Sequence, residues 1–206
     1  MANSTSLAAV ALSLQELLNR CFVELELLDP DAFRARPVAR IVRSDDFGQI
    51  GSTPGSPIRF PTLSIFCYRV DVNRTMRAPW SAVAAHDATI HLPLDIHFLL
   101  TPWDSDPEAE LRILGATMQC LEQQPILAGP QLHPLGRWDQ RETIQLVNED
   151  LVTEDVLRTF DTLPSDFRLS VSYVAKIARI DAPDEIDHPD VMTAVRGVTP
   201  SSVSVP

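Results

Sequence analysis

The stretch from Pro93 to Leu127, PLDIHFLLTPWDSDPEAELRILGATMQCLEQQPIL, constrains the fold more than any other part of this chain. Leu92, Leu94, Ile96, Phe98 and Leu100 recur at every second position, which predicts a strand over about Thr89 to Thr101 with one buried face. Pro93 has no amide hydrogen to give, so that strand must hold it at its beginning, at an edge or at a bulge. Ser105 and Glu108 then have capping-box spacing, Pro107 suits a first helical turn, and Asp106 and Glu108 suit the positive end of a helix dipole. A helix to about Gln123 or Gln124 is expected, closed by Pro125, with Leu111, Leu114, Met118 and Leu121 as its buried stripe. Gly115 inside it costs about 1 kcal/mol against alanine. It marks either the close approach of another backbone or a tolerated defect. No group in the stretch suits covalent chemistry, so it reads as a packing element.

A second long helix is expected from about residue 5 to Leu28. Leu7, Val10, Ala11, Leu14, Leu17, Leu18, Cys21, Phe22 and Leu25 recur at steps of three and four, Ser4 or Thr5 can cap it, and Asp29-Pro30 stops it. Shorter signals predict strands at Val38–Val42, Phe60–Val70 and Thr143–Val147, and a brief helix from Thr153 to Phe160. The Phe60–Val70 strand carries bulk on both faces and is expected at the centre of its sheet. Alternation over Phe167–Ile180 sends Phe167, Leu169, Val171, Tyr173, Ala175 and Ile177 toward the core, and Arg168, Ser170, Ser172 and Lys176 toward a wetter face. The fold class is therefore mixed α/β (α+β), a mixed sheet backed by two long helices.

With 206 residues, 45% of them hydrophobic, the chain can bury one sizeable core, and one domain over 1–181 is expected. Two segments fall outside that pattern. Residues 44–59, SDDFGQIGSTPGSPIR, hold three glycines and two prolines, and are expected to be a long exposed loop or to be ordered by a neighbour. Residues 182–206, acidic and then rich in Pro and Ser, read as an arm without a core of its own.

The net charge of −11 argues against a surface that neutralises phosphates, so neither nucleic acid nor an anionic membrane is expected as a partner. SLAAVALSLQELL lacks a basic leader and is broken by Ser13, Gln15 and Glu16, so it does not read as a signal peptide. No window approaches the roughly 18 uninterrupted apolar residues that a membrane span needs. A soluble protein made in the cytoplasm is expected. Cys21, Cys67 and Cys120 are odd in number, scattered and without C-x-x-C spacing, which predicts buried free thiols.

His91, Asp95 and His97 share a face of the predicted strand. At about 3.3 Å per residue Asp95 and His97 lie roughly 6.6 Å apart along it, and His91 lies four residues further off, so one ion would not take all three without a bulge. They are expected as polar residues of a solvated or interface-facing strand. The G-x-S-x-G signature of a serine hydrolase is absent, and the acidic pairs Asp45-Asp46, Asp104-Asp106 and Asp184-Glu185 fall in loops or at a helix start. No catalytic residue, cofactor or metal is assigned, and the chain does not read as an enzyme. The densest basic and aromatic group, Arg69, Asn73, Arg74, Arg77 and Trp80, is the candidate protein interface, because Arg and Trp are enriched where interfaces are tightest.

Several of these features, in their order along the chain, resemble a known family. They are Tyr68-Arg69-Val70 followed by Asn73 and Arg77, the strand LDIHFLLT, the helix with Leu114-Gly115 ending at Gln124-Pro125-Ile126-Leu127, and Phe167-Arg168-Leu169-Ser170-Val171. Together they resemble the N-terminal domain of the tube-terminator, or cap, protein of extracellular contractile injection systems, which are phage-tail-like particles. The resemblance implies a phage tail-terminator-like fold and a hexameric ring that caps the inner tube and contacts the sheath. Incorporation into a particle that may be released is implied too. Members of that family often carry a C-terminal extension longer than residues 182–206. Two other readings remain open: a monomeric ligand-binding or enzymatic α/β domain, which would show a concave pocket and no hexamer, and a completion protein of a true phage tail.

Overall fold

The computed structural model describes residues 4–51, 55–80 and 91–181. In chain order these form α1 (Ser6–Leu28), β1 (Val38–Val42), β2 (Thr62–Val72), the short α2 (Arg74–Arg77), β3 (His91–Trp103), α3 (Pro107–Gln123), β4 (Ile126–Ala128), β5 (Thr143–Glu149), α4 (Thr153–Asp161) and β6 (Val171–Asp181). The strands make one mixed sheet in the order β1-β2-β3-β6-β5-β4. β1 runs parallel to β2, and every other neighbouring pair is antiparallel. β2, with bulk on both faces, and β3 lie inside the sheet, where both faces of a strand can be covered. Pro93 sits near the start of β3, one residue before the irregularity in the β3–β6 register, so a missing amide is tolerated there.

Both long helices pack on one face of the sheet. Val10, Leu14, Leu17, Leu18 and Phe22 of α1, with Ile113, Cys120 and Leu121 of α3, close over Leu63, Ile65, Leu94, Ile96, Phe98, Leu100, Ile144 and Ala175. Leu14, Leu18, Leu63, Ile65 and Leu100 are completely buried, and each such side chain contributes about 1.5–3 kcal/mol. A second, smaller core lies on the opposite face at one end, where Val42, Phe47, Ile58, Leu99, Trp103, Phe160 and Leu163 meet. Phe47 sits edge-on to Phe66, Trp103 and Phe160 at centroid distances of 5.4, 5.7 and 6.4 Å. The Trp103 indole is fully buried because its Nε1 donates to Ser64 Oγ at 2.8 Å.

The exposed edge of β1 is closed by side chains of α1. Ala39 N donates to Asn19 Oδ1 at 2.8 Å, Asn19 Nδ2 donates to Ala39 O at 3.1 Å, and Ile41 N donates to Gln15 Oε1 at 2.9 Å. These are the backbone groups that a further strand would have used.

Several expectations from the sequence are corrected here. The 44–59 segment is not a wholly exposed loop: Ser44–Gly48 form a 3-10 turn, and Phe47 and Ile58 anchor the second core of their own chain. Residues 52–54 of that segment lie outside the described residues, as do 81–90 and the arm at 182–206. Cys21 and Cys120 are not free. α1 and α3 lie side by side and bring the two sulfurs to 2.11 Å, while Cys67 is free but exposed. Thr5 precedes α1 without a side-chain cap and donates Oγ1 to Leu135 O at 2.6 Å instead. The cap of α3 is Asp106, which accepts from Glu108 N at 3.1 Å, one residue after the expected Ser105. The buried stripe of α3 is Ala109, Ile113, Leu114, Thr117, Cys120 and Leu121, so Leu111 and Met118 face outward. β6 begins only at Val171, leaving Phe167 and Leu169 half exposed, and Arg168 lies over the Trp103 ring at 5.4 Å and pairs with Glu110 at 3.2 Å.

Candidate interface site

The sheet face opposite α1 and α3 carries the polar residues of the central strands. A shift of register between Cys67 and Arg69 in β2 determines what meets there. In a regular strand Tyr68 and Arg69 would point to opposite faces, but across this bulge both reach the same carboxylate. Tyr68 Oη donates to Glu149 Oε2 at 2.6 Å, and Arg69 Nη2 donates to Glu149 Oε1 at 3.2 Å. Ser172 Oγ donates to Glu149 Oε2 at 2.8 Å, and His97 Nδ1 lies 3.0 Å from both carboxylate oxygens. Arg69 Nε and His97 Nε2 then meet Asp71 Oδ2 at 2.9 and 3.3 Å. One carboxylate at the end of β5 thus ties together β2, β3, β6 and β5.

Burial pushes the Glu149 carboxyl up, but the hydrogen bonds from Tyr68, His97 and Ser172 together outweigh it and hold the group below the ordinary 4.5. Burial, and then the bond to Glu149, push the Tyr68 phenol up from 10.0 to about 12. Both groups are locked in their native charge states at neutral pH. Glu149 already has partners on both oxygens, so the cluster stiffens and charges a surface and offers no idle base.

The five residues singled out from the sequence divide between two sets of contacts. Arg69 belongs to the Glu149 cluster. The others gather around α2, toward the other end of β3. Asn73 caps α2 by accepting from Met76 N at 3.0 Å, and its Nδ2 donates to Asp95 Oδ2 at 3.0 Å. Arg77 Nη1 donates to His91 O at 3.5 Å, Trp80 meets the His91 ring edge-on at 5.9 Å, and Arg74 is exposed. His91, Asp95 and His97 likewise go to separate partners: Asp181 at 2.5 Å, Asn73, and Glu149. Among the described residues no group of three or more His, Cys, Asp or Glu is arranged to hold a metal ion.

Trp80 also lines a concave pocket of about 390 Å³, with Ile126, Trp138, Arg141, Glu142, Thr143, Gln145, Lys176 and Arg179 among the other lining residues. Trp138 is held there by its indole Nε1, which donates to His133 O at 2.7 Å, and by Gly136, on which it lies. A Cβ at position 136 would stand 2.2 Å from the indole, so the glycine is needed for the close approach. Glu149, Ser172 and this pocket were missed by reading the sequence. The pocket's residues come from the segment after α2, β4, the β4–β5 connection, β5 and β6, and no local pattern joins them.

Comparison with known proteins bears on what this surface serves. The chain matches the family model described as the Pvc16 N-terminal domain over residues 9–194. No curated protein matches it in sequence. Among solved structures it is similar to the sheath/tube terminator of an extracellular contractile injection system, PVC, in the extended state, at 14% identity and a TM-score of 0.51. That match covers 92% of this chain and 64% of the other. It is also similar to the tube-terminating cap of the anti-feeding prophage, at 14% identity and a TM-score of 0.48, covering 87% of this chain and 61% of that one. The chain therefore spans somewhat less than two thirds of the length of either protein. The mixed sheet with its helices is the fold shared with the PVC terminator, and the match over residues 9–194 assigns the sequence: this chain belongs to the Pvc16 N-terminal domain family.

Proposed function

We propose that the chain is a structural cap, or tube terminator, of a phage-tail-like contractile injection system. The observation that carries this reading is the family match over residues 9–194, with a terminator fold covering 92% of the chain in support. As a structural subunit and not an enzyme, it would end growth of the inner tube by shape matching. One side of a ring, six-fold by the resemblance, copies the docking surface of a tube subunit, and the other side offers no site for the next. The rim contacts the sheath and so couples tube length to sheath length. Arg69, Asn73, Arg74, Arg77 and Trp80 are proposed contact residues, and residues 182–206 a contributing arm. Assembly places the protein in a tail-like particle.

Negative-stain imaging of sheath-and-tube particles from cells with and without the gene tests this reading. Tubes of uncontrolled length, or no particles, are expected in the deletion. Normal capped particles in the deletion would overturn the proposal and return weight to a ligand-binding domain.

A further inference from the structure

We infer that the pocket between Trp80, Trp138 and β6 is the receiving half of a contact between copies of this chain, and that it takes a carboxylate side chain flanked by an apolar one. This inference rests on the ring reading above and names a site for it. The pocket collects three cations, Arg141, Lys176 and Arg179, in a chain with 28 acidic and 17 basic residues. Arg179 takes up the carboxylates at hand: its Nε lies 2.5 Å from Glu142 Oε1 and 3.1 Å from Asp181 Oδ1. These contacts are close but not aligned as hydrogen bonds, so their attraction is electrostatic. Arg141 and Lys176 have no acidic partner among the described residues. On so acidic a surface, two cations that have no acidic partner among the described residues and converge on one concavity mark a place where an external carboxylate would gain most.

The walls specify the rest of the occupant. Trp80 and Trp138 are half-buried, and Ile126 is 53% exposed beside them, so apolar surface borders the cations. The volume of about 390 Å³ holds a side chain or two and is within the range of pre-formed sites, roughly 300–1,000 Å³. The chain's own described surface carries the complementary chemistry, most openly at two segments. Leu27 and Leu28, 78% and 84% exposed, precede Asp29 and Asp31, and Val152, 64% exposed, lies between Asp150 and Glu154. A pocket on one copy receiving a different segment of the next is a heterologous contact, the type that builds a ring when its rotation closes.

Lys176 is the only lysine of the chain, so a carbodiimide amide from a lysine of this protein can come only from the pocket. Purified particles are treated with carbodiimide and resolved on a denaturing gel. Covalent dimers of this chain are expected, with Lys176 joined to a peptide containing Asp29, Asp31, Asp150 or Glu154. Dimers are lost in Lys176→Arg, which keeps the charge and removes the only lysine amine that carbodiimide can couple. The double variant Arg141→Glu/Lys176→Glu is expected to lose capped ends while the isolated chain keeps its melting temperature. Lys176 joined only to tube or sheath protein would overturn the contact between copies. Lys176 unlinked, yet acetylated as fast in particles as in the isolated chain, would overturn the pocket's occupancy. Either result leaves the cap reading standing, whereas absence of the chain from the particles would overturn that reading and this contact with it.

Discussion

On the side of the sheet facing the helices, β3 offers Leu94, Ile96 and Phe98 to α1 and α3, whereas one residue away on the other side it offers His97 to a carboxylate and a guanidinium. The first face is held by area, which has no direction, and it tolerates change as long as volume is kept. The second is held by aligned donors and acceptors, each of which needs its own partner. A helix-covered face has no further business with solvent or subunits. On the second face the side chains cover one another: His97 and Ser172 are buried beneath the bonds to Glu149, while Arg69 and Asp71 at its margin stay exposed and can be the surface that an assembly uses.

The largest expected effect breaks the apolar side. Phe98→Ala should cost about 3–5 kcal/mol in denaturant unfolding, the usual penalty for an aromatic cavity in a packed core. An effect below 1 kcal/mol would mean that the helices do not close over β3 as described.

An intermediate effect comes from the polar side. Tyr68→Phe keeps the ring and removes one donor to Glu149, at a cost of about 1.5–3 kcal/mol near neutral pH, as for a hydrogen bond to a charged group. Its pH dependence distinguishes it from a packing loss. Glu149 has a folded pKa below its ordinary value, so the stability it adds is complete above about 4.5 and is lost as pH falls through the lowered folded value. The phenol, raised to about 12, adds stability that is complete below 10.0 and disappears as pH rises toward 12. The gap between parent and variant should therefore narrow in both directions from neutrality. A gap independent of pH would show that the hydroxyl does not serve the carboxylate.

The smallest effect is a gain. Nothing lies within 4 Å of a Cβ placed on Gly115, so the residue is a tolerated defect in α3 and not a point of close approach. Gly115→Ala should add up to about 1 kcal/mol, read as a higher midpoint of thermal unfolding, and a loss would reveal a neighbour on that side of the helix.

The apolar side was far more legible in the sequence than the polar one. α1 and β3 followed from periodicity because repeated burial on one face leaves a repeated mark. The stripe of α3 was rotated in the reading because Thr117 looks polar, yet it is buried with its hydroxyl bonded to Ile113 O at 2.8 Å. Phe47 and Ile58 gave no period, being single anchors at the two ends of a glycine-rich segment. The pairing of Cys21 with Cys120 across 99 residues depends on how two helices lie, which spacing does not encode. The Glu149 cluster needs four strands and a bulge, and the bulge follows from pairing between strands, which neither strand shows alone. Among the candidate interface residues Arg69 fell on the cluster and Trp80 on the pocket, while Asn73, Arg74 and Arg77 proved to belong to α2 and its cap.

The amides of Asn19 and Gln15 on the β1 edge bear on the time before assembly. On the cap reading proposed above, a subunit that waits for a tube to reach full length would accumulate in free form, and an open sheet edge would let waiting copies stack into fibres. With those backbone groups already engaged by α1, the pool is guarded against templated growth along that side, and self-association is left to surfaces that can form a closed contact.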